Sequence, residues 1–368
     1  MKMNIKQRNP NFEMLRILSM LFIIANHCIL NVATPEYQAQ QVKSFNFILT
    51  DILYQAVYVA VNCYVLISGY FLVGNNKCNF NFHKVMKLWS VVFFYSVSIY
   101  AICVLGLKLQ PLALKDIVHV LLPIHYDLYW FVTQYMALFL ISPFLIKAAN
   151  SMSRESYKNL LIISFFIVSI LQLSGLKGGF SLLWFIFLFM FVGYIRIYNP
   201  RHFIKKHPLA SYITMTCILA FISIVGGYHQ SQLSIVSYLG FYNGPFIFVS
   251  SIALFYVFKE MKPLKENNWI VKATLFFSPA CFGIYLIHEH PYLKDYLWEN
   301  VLNLVLSLHK VNFLFILSIS IVLFIVCALI EKMRIFIFKL ILIDNGIAFI
   351  SNKMVDFYSN IKKLWQNH

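Results

Sequence analysis

The chain has 368 residues, 60% of them hydrophobic and 12% charged, with a net charge of +16 and a mean hydropathy of +0.72. Stretches such as 160–173 and 182–192 are apolar on every side, which excludes a large soluble domain built from amphipathic elements and implies an all-α polytopic membrane protein. The positive excess would suit nucleic acid, but its distribution along the chain follows a bilayer instead.

The first apolar run, 11–31, is long enough to cross a membrane, which takes about 20 residues, yet it contains Glu13, Arg16 and His27. Ionisable groups at that depth are costly and mark function. Eleven residues at about 100° each bring His27 back to within about 20° of Arg16, on the same helical face and about 16 Å further along the axis. Glu13, one turn before Arg16, can pair with it. Lys2, Lys6 and Arg8 precede the run as they would in a signal peptide. The charged residues within it, and the lack of a small-residue cleavage site, keep it as a first span.

Nine further spans are expected near 48–73, 87–107, 128–147, 158–174, 180–198, 208–227, 237–258, 271–289 and 312–332. Counted on alternate sides of these ten helices, 23 of the 30 lysines and arginines fall on one side and six on the other, with Arg16 inside the first span. The positive-inside rule makes the richer side cytoplasmic, with both termini. Lys332, Arg334 and Lys339 count there as the inner end of the last span. Residues 1–335 then form one transmembrane domain, and 336–368 a cytoplasmic interfacial helix and tail. Seven cysteines, six of them in apolar segments, imply no disulfide framework.

Several positions between and within the spans carry chemistry. Lys84 and Lys87, one turn apart before the third span, suit the phosphates of a nucleotide-like ligand or serve as plain anchors. Trp130, in the Tyr126-Asp-Leu-Tyr-Trp-Phe131 segment that opens the fourth span, fits an aromatic belt or a sugar platform. Ser68-Gly69 reads as the turn closing the second span, and Gly178-Gly179 as a loop turn. Asn62 and Asn243 are polar positions suited to helix–helix bonding or to a ligand. The ninth span ends in Cys281-Phe-Gly-Ile-Tyr-Leu-Ile-His-Glu-His-Pro291, which brings His288 and Glu289 to the depth of His27 from the far end of the chain. Imidazole is the side chain best suited to take and return a proton near neutral pH.

No metal is expected. Alternate residues such as His288 and His290 diverge on a helix, and the metalloprotease pattern needs histidines at i and i+4. Gly-x-Ser-x-Gly and phosphate-cradling glycine loops are absent from the sequence. Two classes of function stay open. Glu13, Arg16, His27 and His288 could relay protons in a proton-coupled transporter or flippase of an envelope glycan. Alternatively, His27 could activate a hydroxyl for group transfer.

The motifs resemble those of the acyltransferase-3 membrane acyltransferases of bacterial envelopes. They are Glu13-x-x-Arg16 followed by His27, Leu66-Ile-Ser-Gly-Tyr-Phe71, Leu128-Tyr-Trp-Phe131, Leu140-Ile-Ser-Pro-Phe144, Tyr242-Asn-Gly-Pro245 and Phe282-Gly-Ile-Tyr-Leu-Ile-His288, in the family's order. The resemblance implies ten helices in the cell (inner) membrane and transfer of an acyl group, usually acetyl from acetyl-CoA, to a sugar or lipid-linked glycan. It further implies His27 as the essential catalytic histidine and Arg16, beside Glu13, as its partner in the donor path. Many members carry paired arginines in the first cytoplasmic loop. Here Lys84-x-x-Lys87 stands in that place, keeping the charge without the bidentate fork. Trp130, Asn243, Tyr285 and His288 are the candidate acceptor contacts. Expected partners are acyl-CoA as co-substrate, with no permanently bound cofactor, together with the glycan acceptor and the bilayer, and no nucleic acid. With no esterase-like domain expected after the tenth span, the chain resembles the stand-alone form.

Overall fold

The computed structural model describes residues 8–33, 45–74, 81–171, 177–228, 240–262, 264, 267–307 and 313–366, among which there is no strand. Lys2, Lys6, Lys43, Lys77, Cys78, Lys265 and Lys310, the end of the predicted fifth span and the start of the eighth lie outside the described residues.

In chain order the helices are α1 (Pro10–Cys28), α2 (Phe45–Val57), α3 (Ala60–Gly74), α4 (Phe82–Ala101), α5 (Leu114–Leu121), α6 (Trp130–Ser151), α7 (Arg154–Phe165) and α8 (Leu182–Tyr198). There follow α9 (Phe203–Lys206), α10 (Pro208–Tyr228), α11 (Pro245–Glu260), α12 (Trp269–Phe277), α13 (Cys281–His288), α14 (Lys294–Ser307), α15 (Phe313–Leu340) and α16 (Ile343–Gln366). Wider π-helical turns extend α1 through Ile29–Ala33, α4 through Ile102–Gly106 and α7 through Phe166–Ile170.

Helix occupies most of the described part of each predicted span, though 240–244 of the eighth are turn and bend. Among the described residues, seven stretches are both long and apolar enough to cross a membrane, namely Pro10–Ala33, Phe45–Gly74, Phe82–Gly106, Trp130–Ser151, Pro208–Val225, Trp269–His288 and Phe313–Leu340. α8 is apolar but shorter, at 17 residues.

Two spans are not straight rods. The second breaks into α2 and α3 at Tyr58–Val59. The ninth breaks at the Ser278–Ala280 turn, where Pro279 has no N–H to continue the ladder. Ser68-Gly69 is not the expected closing turn, because both residues lie inside α3. Gly69 serves packing instead. A Cβ there would stand 2.7 Å from Val192 Cγ1 of α8, so the missing side chain lets α3 and α8 approach closely, as small residues do in membranes. Pro143 sits within α6 without interrupting it. Its missing N–H frees the Phe139 carbonyl, which accepts the Ser142 hydroxyl at 2.8 Å, the usual remedy in an apolar medium.

α1 is the axle of the bundle, packed on α2, α3, α11, α12, α13 and α15. Phe144, Leu105, Leu314 and Phe221 are 68–74% exposed on the outside. Asn62, Ser96, His288 and His290 are buried inside. Polar groups turned inward and large apolar groups turned outward are the inverse of a soluble protein and suit a lipid surround. α15 runs past the expected boundary at 335 to Leu340, where Leu342 turns the chain at φ 53° into α16.

Candidate functional site

α1 is fixed before it reaches the site. Asn9 caps it by accepting from the Asn11 amide at 3.0 Å, Pro10 occupies the first turn, and the Asn11 side chain donates to the Met261 carbonyl beyond α11 at 2.7 Å. From there Arg16, Met20, Ile23, Asn26, His27 and Leu30 face one cavity of about 680 Å³. The steps of three and four residues through Arg16, Met20, Ile23, His27 and Leu30, with Asn26 beside them, make a single helical stripe. The cavity therefore receives Arg16 and His27 from the same wall.

Toward the start of α1 the cavity wall carries Arg8, Lys84 and Lys87 besides Arg16. Arg16 Nη1 sits between the two oxygens of Glu13, at 3.0 and 2.9 Å. Glu13 itself is buried and does not line the cavity. Lys87 reaches Asp344 of α16 at 2.9 Å, an exposed pair. Between the cationic end and His27 the lining includes Tyr64, Ser68 and Tyr135. Tyr64 donates to the Arg16 carbonyl at 2.8 Å, and Ser68 and Tyr135 share a hydrogen bond of 2.9 Å.

At the other end His27 meets the close of α13. Its Nδ1 lies 2.9 Å from Glu289 Oε1 and 3.2 Å from His288 Nε2. His288 Nδ1 lies 2.7 Å from the Ile284 carbonyl, which can only accept, so that nitrogen carries the hydrogen and Nε2 carries the lone pair. Neutral His27 is then the tautomer with its hydrogen on Nδ1, shared between Glu289 and His288. Its Nε2 keeps a lone pair for chemistry. His288 is fully buried behind His27 and does not line the cavity. The α-helical ladder changes to a π turn immediately after Cys28, a feature frequent at functional sites.

Much of the remaining wall is aromatic. Trp130, Phe131, Phe180, Tyr242, Tyr58 and Tyr285 line it, with Trp130 stacked on Tyr242 at 6.1 Å and Tyr242 on Tyr58 at 4.3 Å. Trp130 and Tyr285 thus reach the cavity from separate helices. Asn243 does not; it is fully buried, donating to the Val168 carbonyl at 2.7 Å while its own carbonyl accepts from Ser169 at 2.6 Å. Asn62 is likewise held, accepting from Trp184 Nε1 at 2.9 Å and donating to the Tyr242 carbonyl at 2.9 Å. Gly179, at φ 76°, lets its loop approach the Asn243 amide, which a Cβ would meet at 2.8 Å.

His288-Glu-His290 behaves as its spacing predicts, since His290 turns away to the Ser96 carbonyl at 3.2 Å. A different set converges. Ligand atoms of His27, His288 and Glu289 lie within 4.8 Å of one another and could hold a metal ion. Sequence reasoning brought these three to one depth but weighed only His288-Glu-His290 as metal ligands, because His27 is 261 residues from His288 in the chain. It also missed Tyr58, Tyr64, Tyr135 and Phe180, which no motif distinguishes from bilayer aromatics.

No curated protein and no solved structure matches the chain significantly. The profile of the acyltransferase-3 family, an acyltransferase domain, matches residues 9–332. That match runs from the cap of α1, through Arg16, His27 and the aromatic wall, into α15. The chain accordingly belongs to the acyltransferase-3 family, and is a membrane acyltransferase.

Proposed function

We propose that the protein moves an acyl group, acetyl as is usual in the family, from acyl-CoA at the cytoplasmic end of the cavity to a hydroxyl of a sugar or lipid-linked glycan at the outer end. Ten crossings of the cell (inner) membrane with both termini cytoplasmic are supported by the charge asymmetry of the chain. That orientation puts Arg8, Lys84 and Lys87 inside and the Trp130 wall outside. The observation that carries the reading is one cavity lined by both Arg16 and His27, about 16 Å apart along α1. An elongated donor can be held by its phosphates near Arg16, Lys84 and Lys87 while its thioester extends to His27.

His27 Nε2 takes the proton of the acceptor hydroxyl as its oxygen attacks the thioester carbonyl. The carbon–sulfur bond breaks, and the departing CoA thiolate recovers a proton from the imidazolium or from water. Glu289 holds the Nδ1 hydrogen and stabilises the imidazolium that forms, and His288 fixes the ring from behind. Trp130 and Tyr285 offer ring faces to the acceptor. Asn243 acts at one remove, by seating Tyr242.

The test uses the purified protein in nanodiscs with radiolabelled acetyl-CoA, together with mass spectrometry of envelope glycans. His27→Ala is expected to keep acetyl-CoA binding and to abolish glycan acetylation. A wild-type protein that binds no acetyl-CoA would overturn the reading, and proton-dependent glycan flux would then favour a transporter or flippase. Label retained on the protein without acceptor would replace direct transfer by an acyl-histidine intermediate.

A further inference from the structure

One ion pair on the cavity wall takes no part in the proposed transfer. Arg334 of α15 lines the cavity beside Glu331 and Ile335, although only 8% of it is exposed. Its Nε donates to Glu331 Oε2 at 2.7 Å and its Nη2 to Oε1 at 2.6 Å, and the guanidinium carbon lies 4.5 Å from the centre of the Phe338 ring. Glu331 is positioned in turn from two further helices. Tyr95 of α4 donates its hydroxyl to Oε2 at 2.6 Å. On α13, Gly283 leaves the space that the Glu331 carboxylate fills and that a Cβ would occupy.

A carboxylate–guanidinium pair this buried is poor value as packing, since well-fitted apolar residues commonly do as well or better. Its place on the wall gives it another purpose. Arg8, Arg16, Lys84 and Lys87 line the same cavity, so Arg334 adds to an existing cationic group. The two lysines offer point charges on flexible stems. Arg334 offers a planar donor whose orientation is fixed by one carboxylate and one ring, the geometry that matches phosphate oxygens.

We propose that Arg334 binds the diphosphate of the donor, and that Glu331, Tyr95 and the gap at Gly283 orient it for that task. The proposal rests on the acyl-CoA reading and adds to it the guanidinium that Lys84-x-x-Lys87 lacks. Arg334 is then a donor-binding residue and Glu331 a positioning residue.

The experiment measures binding of CoA and of dephospho-CoA to the purified full-length protein in nanodiscs, with a thermal melt of each variant. Both ligands keep the diphosphate, and only CoA has the additional ribose phosphate. Arg334→Gln is expected to weaken both by the same factor, about tenfold to a hundredfold for a lost charged hydrogen bond. Arg334→Lys is expected to fall between. Gly283→Ala, which disturbs Glu331 without removing a charge, is expected to weaken both ligands by a smaller factor. Wild-type protein that binds neither ligand defeats the acyl-CoA reading itself. Wild-type binding with unchanged affinity in a folded Arg334→Gln protein overturns the assignment alone, as does weakening confined to CoA. If Arg334→Gln melts early because Glu331 is left unpaired, the doubly neutral Glu331→Gln, Arg334→Gln protein decides, and wild-type affinity there overturns the proposal.

Discussion

Glu289→Gln tests the chemistry of the site more sharply than removal of His27. The substitution keeps an oxygen that can accept the Nδ1 hydrogen across the present 2.9 Å, so ring and cavity keep their shape. What it removes is negative charge beside the histidine that, in the proposed mechanism, takes the acceptor's proton. Both side chains are mostly buried, at 20% and 17% exposed, so screening by water is partial. Unit charges about 4 Å apart, allowing for the spread of the imidazolium, interact by about 4 kcal/mol at an effective dielectric near 20. Each 1.36 kcal/mol is about tenfold in rate, so kcat should fall by about a thousandfold. In the proposed mechanism the charge forms only during transfer, so the KM for acetyl-CoA should hardly change. The assay is the initial rate of radiolabelled acetyl incorporation into the glycan fraction of membranes carrying each variant. A fall in kcat under tenfold, or one matched by a rise in KM, would refute the role given to Glu289.

The other predictions concern the wall, the packing and the ion-binding capacity. Trp130→Ala should raise the acceptor KM by up to about tenfold, the worth of one aromatic stack, and leave acetyl-CoA affinity unchanged; a change in donor affinity instead would place Trp130 in the donor path. Gly69→Ala brings a methyl to 2.7 Å from Val192 Cγ1 and should cost about 1–3 kcal/mol by overpacking, read as a lower melting temperature in detergent. An unchanged melt would show that α3 and α8 do not touch there. Excess Zn2+ should inhibit transfer reversibly, since His27 Nδ1 lies 2.9 Å from Glu289 Oε1 and 3.2 Å from His288 Nε2, near the separation of about 3.3 Å between ligands of a tetrahedral zinc. Inhibition should weaken in His288→Ala, and indifference to zinc in the parent protein would refute the convergence of the three groups.

What was legible in the sequence is what depends on a single helix. Length and apolarity located the helices, and the period of 3.6 residues put Arg16 and His27 on one face, the stripe that lines the cavity. The Glu13–Arg16 pair, one turn apart, was legible for the same reason. Relations between helices were not. The hydroxyl of Tyr95 on a carboxylate 236 residues away leaves no trace in local periodicity. Arg334 looked like one more charge at the inner end of a span until Glu331 and Phe338 fixed its direction. Asn243 stands in a motif beside Tyr242, and nothing in that spacing tells which of the two meets the cavity. The break at Tyr58–Val59 carries neither proline nor glycine, so its cause lies in packing.

The contact between His27 and His288 also sets a timetable. His27 is in place with the first helix, while the residues that orient it are 261 positions or more away. At about 5–20 residues per second of synthesis, the histidine waits on the order of tens of seconds for its partners. During that interval the growing chain holds an imidazole in the bilayer with neither its charge partner nor the opposite wall of its cavity. On the proposed mechanism, incomplete chains then have no assembled base with which to waste a thioester, and competence arrives only with α13.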